Sequence, residues 1–440
     1  MKYIQTKNIR WYITKTIADL NTSITILLVI ALVSVLGTII EQNQNLNYYQ
    51  MHYPQKNNLN FTFILNWKTI IYFGFDHIYA TWWFLSLLGI FFLSLITCTF
   101  SRQLPSLRNA RNWKFKKKVN DNKYPPIFTL FHTTALPNII YTLNLKNYYI
   151  FHKQNNIYGY KGLGGRIAPV FVHISIILTL TGSMIGLFKG FTAQQIIPKG
   201  EIFHIQHIIK AGLQSNVPYN IVGKVNDFFI DYNKDKSINQ FYSTISLINN
   251  KGQYITKKQI FVNSPLKFES LTFYQTDWEI NALRIKFDKN NYIQQKLLKT
   301  QINNITIWIY DLPIGNKNYI SFIVTNLTDK ILLYNSLGQF IKSIKLNETI
   351  NIQEHNIAIT EIMTSTGLQI KTDPGIISVY TGFLIMIISI TTSYISYSQI
   401  WLYQDKTEFI MTGITNRAKL SFEEDFISIK KLYLIYTSNR

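Results

Sequence analysis

Cysteine is almost absent. Cys98 is the one thiol in 440 residues, which excludes a disulfide framework, a CxxC thiol-redox pair and any all-cysteine metal site. Acidic side chains are scarce as well: 23 Asp and Glu stand against 44 Lys and Arg, a formal charge of +21. Charged residues of both signs reach only 15%, whereas apolar residues make up 47% and aromatics 15%. That balance is too apolar for a disordered basic tail and too weakly charged for an ordinary soluble enzyme. There is no HExxH, no nucleophile elbow, no Gly-Lys-Ser/Thr loop and no recognisable carboxylate pair, so catalysis by this chain alone has no support. Glycine is sparse while Asn, Lys, Ile and Tyr abound, a drift expected of an AT-rich genome that weakens inference from basic residues.

What is present is long apolar runs. A bilayer core of roughly 30 Å takes about 20 apolar residues in helix, and four segments meet that length: 24–40, 79–100, 167–188 and 376–400. None contains Asp, Glu, Lys or Arg. Mean hydropathy is only +0.05, so most of the chain lies in water. No small-residue cleavage pattern follows the first run, which closes in Gly37-Thr38-Ile39-Ile40-Glu41-Gln42; it reads as an uncleaved anchor.

Lys and Arg near the membrane ends set the expected orientation. The arm 1–23 carries Lys2, Lys7, Arg10 and Lys15, the loop 41–78 only Lys56 and Lys68, and the loop 101–166 twelve basic residues, among them Arg102, Arg108, Arg111, Lys114 and Lys116 to Lys118. The arm, the 101–166 loop and the tail 401–440 are therefore expected on the cytoplasmic or stromal side, with 41–78 and 189–375 opposite. The basic loop reads as a topology signal with attraction to anionic lipid, not as a nucleic-acid site.

Residues 189–375 are long enough for a domain of their own. Phe241 to Ile248 alternates, 249–252 is a turn signal, and Gln253 to Val262 resumes the extended pattern. Leu283 to Phe287, Ile305 to Tyr310, Ile320 to Val324 and Ile357 to Ile362 are further strand candidates. The expected fold is four transmembrane helices with a large, mainly antiparallel β domain between spans three and four. Ile202 to Leu213 and Phe409 to Tyr436 are weaker helix candidates.

One ionisable side chain sits clearly inside a span. His173 lies seven residues beyond Arg166, roughly 10 Å in from the basic side at 1.5 Å per residue. An intramembrane ionisable group is a functional candidate by default, and neutral imidazole is an axial ligand of haem iron; the alternative is a histidine hydrogen-bonded to Ser or Thr of a neighbouring helix. At about 100° per residue, Ser175, Thr179, Gly182 and Gly186 form a small-residue stripe almost opposite His173. If the stripe packs within the chain's own bundle, His173 is expected to face lipid, or a partner subunit and a shared ligand. Arg166 is a candidate ion pair for a haem propionate. His77, beside Asp76, is a weaker candidate at the opposite face, and Trp82 and Trp83 read as an interfacial belt or a porphyrin-stacking pair. His204 and His207 have an i, i+3 spacing but no third ligand. The run 159–166 lacks the features of a phosphate loop and reads as a flexible lead-in to the third span.

Taken in order, Leu36-Gly37-Thr38-Ile39-Ile40-Glu41-Gln42, Trp82-Trp83-Phe84-Leu85 through Cys98, Gly165-Arg166 with His173 and Gly182, Val262-Asn263-Ser264-Pro265-Leu266, Phe273-Tyr274-Gln275-Thr276-Asp277-Trp278 and Asp373-Pro374-Gly375 resemble the ResB, or CcsB, family of cytochrome c biogenesis proteins, in the plastid form of System II. The resemblance covers nearly the whole chain. It implies a membrane subunit, an assembly factor and not an enzyme, that works with a Trp-rich CcsA-type partner to carry haem to the lumenal side of the thylakoid for attachment to apocytochrome c. It implies a haem-ligating histidine in the third span, the position of His173, and nothing for His77. The contrasting expectation is a membrane-anchored translocase or scaffold subunit with an external β-rich domain and no haem site; the sensor and small-ion transporter readings lack a signalling module and intramembrane acidic residues, respectively.

Overall fold

The computed structural model describes residues 6–54, 66–111, 115, 129–131, 135–235, 237–249, 251–288, 291–302, 305–314, 319–327, 330–352, 355–404 and 409–438. Two compact units emerge, residues 1–184 together with 376–440, and residues 185–375. Lys56 and the basic run at 114 and 116–118 lie outside the described residues.

Four helices are long and apolar enough to cross a bilayer: Leu20–Ile39, Trp82–Gln103, Gly164–Lys189 and Ile376–Ser393. Several of their hydroxyls are satisfied within their own helix, as lipid demands. Ser34 Oγ donates to Ile30 O at 2.8 Å, Thr97 Oγ1 to Leu93 O at 2.9 Å and Thr391 Oγ1 to Ile387 O at 3.1 Å. Close approach is made by small residues. A Cβ on Gly37 would fall 2.8 Å from the Tyr79 hydroxyl, and one on Gly382 of the fourth span 2.4 Å from Thr179 Oγ1 of the third. The second span ends in a π turn, Thr99–Gln103, a wider coil that recurs at functional sites.

The fourth helix stops at Ser393 short of the expected 400, because Ser398–Gln404 alternates buried and half-buried residues with a period of two and joins a sheet. That sheet is antiparallel throughout, in the spatial order Thr129–Phe131, Phe409–Thr415, Ser398–Gln404, Asn156–Lys161, Tyr149–Lys153. Helices Leu136–Leu145 and Lys419–Ser438 cover one face, burying Ile139, Leu143, Phe426 and Ile429 against Ile157 and Leu402. The segment 409–436 is therefore half strand and half helix, not the single helix its hydropathy suggested. Residues before the third span and after the fourth share one hydrogen-bonded sheet, so they lie on the same side of any membrane that the helices cross.

Residues 185–375 are sheet-rich and antiparallel, as the alternation predicted. Two long strands, Leu271–Phe287 and His355–Thr372, pair along their whole length and form a spine. Bulges between Gln275 and Asp277, Ile280 and Ala282, and Arg284 and Ile285 re-aim its faces. The lower half packs Phe273, Leu368 and Ile370 against Val225 and Ile245 of the Ile202–Phe203, Val222–Tyr232, Ile238–Ile248, Tyr254–Phe261 sheet. The upper half packs Leu283, Ile285 and Ile359 against Phe322 and Leu333 of a five-stranded meander running from Leu298 to Ile344. The expected helix at 202–213 is instead two short strands, Ile202–Phe203 and Ile208–Ala211, since its apolar residues find sheet edges that no local signal announces.

Candidate functional site

The third span begins where strand Asn156–Lys161 turns upward through Gly162, whose φ of 78° lies in the left-handed region that glycine tolerates. A Cβ on Gly162 would sit 2.0 Å from Ser396 O and one on Gly165 1.7 Å from Ile395 O. The glycine run is thus a tight backbone-on-backbone contact with the segment leaving the fourth span, not a flexible lead-in and not a phosphate cradle. One residue on, the Arg166 guanidinium carbon stands 5.0 Å from the centre of the Tyr397 ring, a cation–π geometry. Gln399 Nε2 donates to the Tyr397 hydroxyl at 2.9 Å and to the Tyr158 hydroxyl at 2.6 Å. Burial, then the hydrogen bond with Tyr158, pushes the Tyr397 phenol well up.

Two helical turns further into the span, His173 is half-buried. Its Nδ1 lies 3.1 Å from Thr99 Oγ1 and its Nε2 3.0 Å from Gln103 Nε2, both on the π turn that ends the second span. The small-residue stripe does face the other way: Ser175 and Gly182 are buried, and Ser175 and Thr179 receive Gly382 of the fourth span. On the opposite face, His173 meets Thr99 and Gln103 of the second span. The hydrogen-bonded arrangement is present, made by Thr99 and Gln103. Neither was singled out from the sequence; their signal was an i, i+4 polar pair closing an apolar run.

His77 is not part of this arrangement. It stands at the other end of the second span, about 30 Å along a helix of that length, with Nδ1 2.9 Å from Asp76 Oδ1 and the ring half exposed. Trp82 is 80% exposed at that same end, while Trp83 Nε1 donates to Phe73 O at 3.1 Å. Gln42 stitches the two spans together there, donating to Phe75 O at 3.0 Å and accepting from Ile78 N at 3.0 Å. His204 and His207 are exposed on the stretch between two strands, so the helical spacing that paired them does not apply. Among the described residues no three His, Cys, Asp or Glu side chains gather as a metal site.

The remaining sequence motifs make turn and bulge contacts. Asn263, at φ 67°, makes the turn after Tyr254–Phe261, and Lys258 Nζ holds it by donating to Pro265 O at 2.7 Å. Gln275 sits at a bulge of the spine, buried, and donates to Thr366 Oγ1 at 2.7 Å, which in turn accepts from Ser243 Oγ at 2.8 Å. Asp373 Oδ1 accepts from Gly375 N at 3.2 Å just ahead of the fourth span.

A bundle of four apolar helices, a two-lobed antiparallel domain inserted between the third and fourth, and a single imidazole within the bundle define an integral membrane protein of the four-span, inserted-β-domain class. The chain belongs to the ResB-like family, whose profile matches residues 20–331 and 323–427. It is 52% identical over 434 residues to a cytochrome c biogenesis protein Ccs1 from Gracilaria tenuistipitata var. liui, covering 98% of this chain and 99% of the relative. It is 47% identical over 427 residues to the Ccs1 of Pyropia yezoensis, covering 97% of both. A cyanobacterial cytochrome c biogenesis protein CcsB, from Picosynechococcus sp., is 38% identical over 422 residues, covering 94% of this chain and 90% of the relative.

Proposed function

We propose that this chain is the haem-handling membrane subunit of a System II cytochrome c biogenesis complex in the thylakoid. In this reading it receives haem from the stromal side, holds it at His173, and passes it toward the lumenal face with a CcsA-type partner, where apocytochrome c is the acceptor. The cytochrome c biogenesis role of its relatives supports the general assignment. One observation carries the haem step: a lone imidazole in the apolar stretch of a span, with a hydroxyl on one ring nitrogen and a neutral amide on the other.

A hydrogen bond between neutral groups contributes about 1 kcal/mol, so an amide on Nε2 is an exchangeable partner where a carboxylate would not be. Haem here is cargo; its iron supplies an axial position that an imidazole fills. Arg166 lies on the same helix nearer the basic side, and moving its guanidinium from Tyr397 to a propionate exchanges a cation–π contact for a charge-assisted hydrogen bond. The domain 185–375 is read as the cover for delivered haem or the dock for apocytochrome. The chain is an assembly factor in this account, with any ligation activity belonging to the complex.

The test is a visible spectrum, oxidised and reduced, of the chain purified with and without a CcsA-type partner, for wild type and His173→Ala. Haem retained by wild type, lost from the variant and restored by added imidazole is the expected result. An intact complex with no haem in any preparation overturns it, and favours a translocase or scaffold subunit in which His173 only packs.

A further inference from the structure

The two hydrogen bonds of His173 differ, and the Thr99 bond to Leu95 points to where its proton sits. Thr99 has one hydroxyl proton, and it goes to Leu95 O at 2.7 Å. Thr99 Oγ1 therefore meets His173 Nδ1, 3.1 Å away, as an acceptor. Nδ1 must carry the ring proton, and a neutral imidazole then offers Nε2 as a bare lone pair. That lone pair accepts from the Gln103 amide at 3.0 Å. Turning the Gln103 amide over would set its oxygen against Nε2 and place the proton there, and the Thr99 hydroxyl would then have to leave Leu95 O to donate to Nδ1. The amide orientation and the tautomer thus support each other.

Gln103 is also poorly held. Its Oε1 is buried and has no hydrogen-bond partner, a state that disfavours the side chain's present position. Thr99, by contrast, is buried and doubly engaged. Both belong to the π turn, which brings residues 99 and 103 onto the two nitrogens of one ring.

Resting on the reading of His173 as a haem ligand, we propose that Thr99 is the positioning residue that locks the Nδ1–H tautomer, and that Gln103 is a displaceable cap on Nε2. When iron takes Nε2, the Gln103 hydrogen bond breaks, the Nε2–iron bond forms, and the ring proton stays on Nδ1. No proton leaves the site. A hydrogen-bonded second nitrogen orients a ligating histidine and raises its basicity, and removing such a partner costs 10–100-fold in affinity in metal sites generally. Gln103 contributes the opposite sign, competing with iron.

The test uses the full chain in detergent or nanodiscs, with ferric haem as the probe. In ¹⁵N-histidine-labelled protein without haem, the resonance absent from His173→Ala should show a protonated Nδ1 and an unprotonated Nε2. In haem titrations read by the Soret band, Thr99→Val should weaken binding at least about tenfold while Thr99→Ser stays within about threefold of wild type. Gln103→Leu should bind at least as tightly as wild type and load several-fold faster. An Nε2-protonated resting ring, wild-type binding by Thr99→Val, or loss of haem from Gln103→Leu overturns the proposal. If His173→Ala itself binds haem with an unchanged spectrum, the ligand reading fails instead; if that variant loses haem while the Thr99 and Gln103 variants match wild type, only this proposal fails.

Discussion

The molecule contains two antiparallel β regions that reach their folds by different routes. The region 185–375 is one unbroken stretch of chain, and its strands pair mostly with near neighbours or along the long spine. The small sheet is assembled from strands Thr129–Phe131, Tyr149–Lys153 and Asn156–Lys161 before the third span and Ser398–Gln404 and Phe409–Thr415 after the fourth. In the first, local alternation announces several of the strands, Ile238–Ile248 and Tyr254–Phe261 among them, though not the short pair within 202–213. In the second, each half has too little chain to cover an apolar face, and only pairing between Asn156–Lys161 and Ser398–Gln404 completes the core. The lesson is that the insertion of a whole domain does not disturb a sheet, provided that the two helices bounding it return the chain to the same side.

The two regions can be separated experimentally, beginning with the most severe change. Gly165→Val places side-chain atoms where Ile395 O already lies, 1.7 Å from the ideal Cβ. It should destabilise the small sheet by about 3 kcal/mol or more, seen as protease sensitivity at 149–161, with the large domain's fragment left intact. Intact protection at 149–161 would show that the small sheet does not depend on the Gly165–Ile395 contact. Phe273→Ala in the spine core, where the ring is 1% exposed, should destabilise residues 185–375 by about 3–5 kcal/mol and leave hydrogen-exchange protection at Ile139 and Leu143 unchanged.

Alkaline pH should act on the small sheet. Burial, followed by the negative charge of Asp425, raises the Tyr148 phenol, and burial followed by the Tyr158 hydrogen bond raises Tyr397. A folded-state pKa above the unfolded value gives stability that is full below about pH 10, the unfolded tyrosine value, and is lost as pH climbs from there toward the folded value. Tyrosinate absorbance and protease sensitivity at 149–161 should rise together above pH 10. Tyr148→Phe with Tyr397→Phe should remove that pH dependence. The smallest effect is expected of Asp425→Asn, which loses the 2.8 Å pair with Lys161; at partly exposed positions this is at most about 1 kcal/mol, measurable as a small shift in the thermal midpoint.

The third span repeats the same contrast on its two faces. The stripe of Ser175, Thr179, Gly182 and Gly186 was legible because small residues at helical spacing have one common use, close packing, and Gly382 now occupies that face at Ser175 and Thr179. The His173 face was not. A wheel fixes which residues share a side of one helix, but not how many helices surround it, so the sequence offered lipid or a partner where the structure supplies Thr99 and Gln103. The π turn that aims them leaves no mark in hydropathy, because it changes the backbone path without changing the residue types. The glycine run before Arg166 misled for a related reason: glycine signals either freedom or close contact, and only Ile395 and Ser396 show that contact is meant.

The sequence by itself determined the four apolar helices, the inserted antiparallel domain, the lone intramembrane imidazole and the family, since hydropathy, alternation and residue order are local properties of the chain. Tertiary structure alone decided that strands of the basic loop and of the tail share one sheet, and that Thr99 and Gln103 of the chain's own second span meet His173. Those are facts of pairing between residues from 70 positions apart, Gln103 and His173, to 282, Thr129 and Met411, and a hydrogen bond between such residues exists only once the chain has closed on itself.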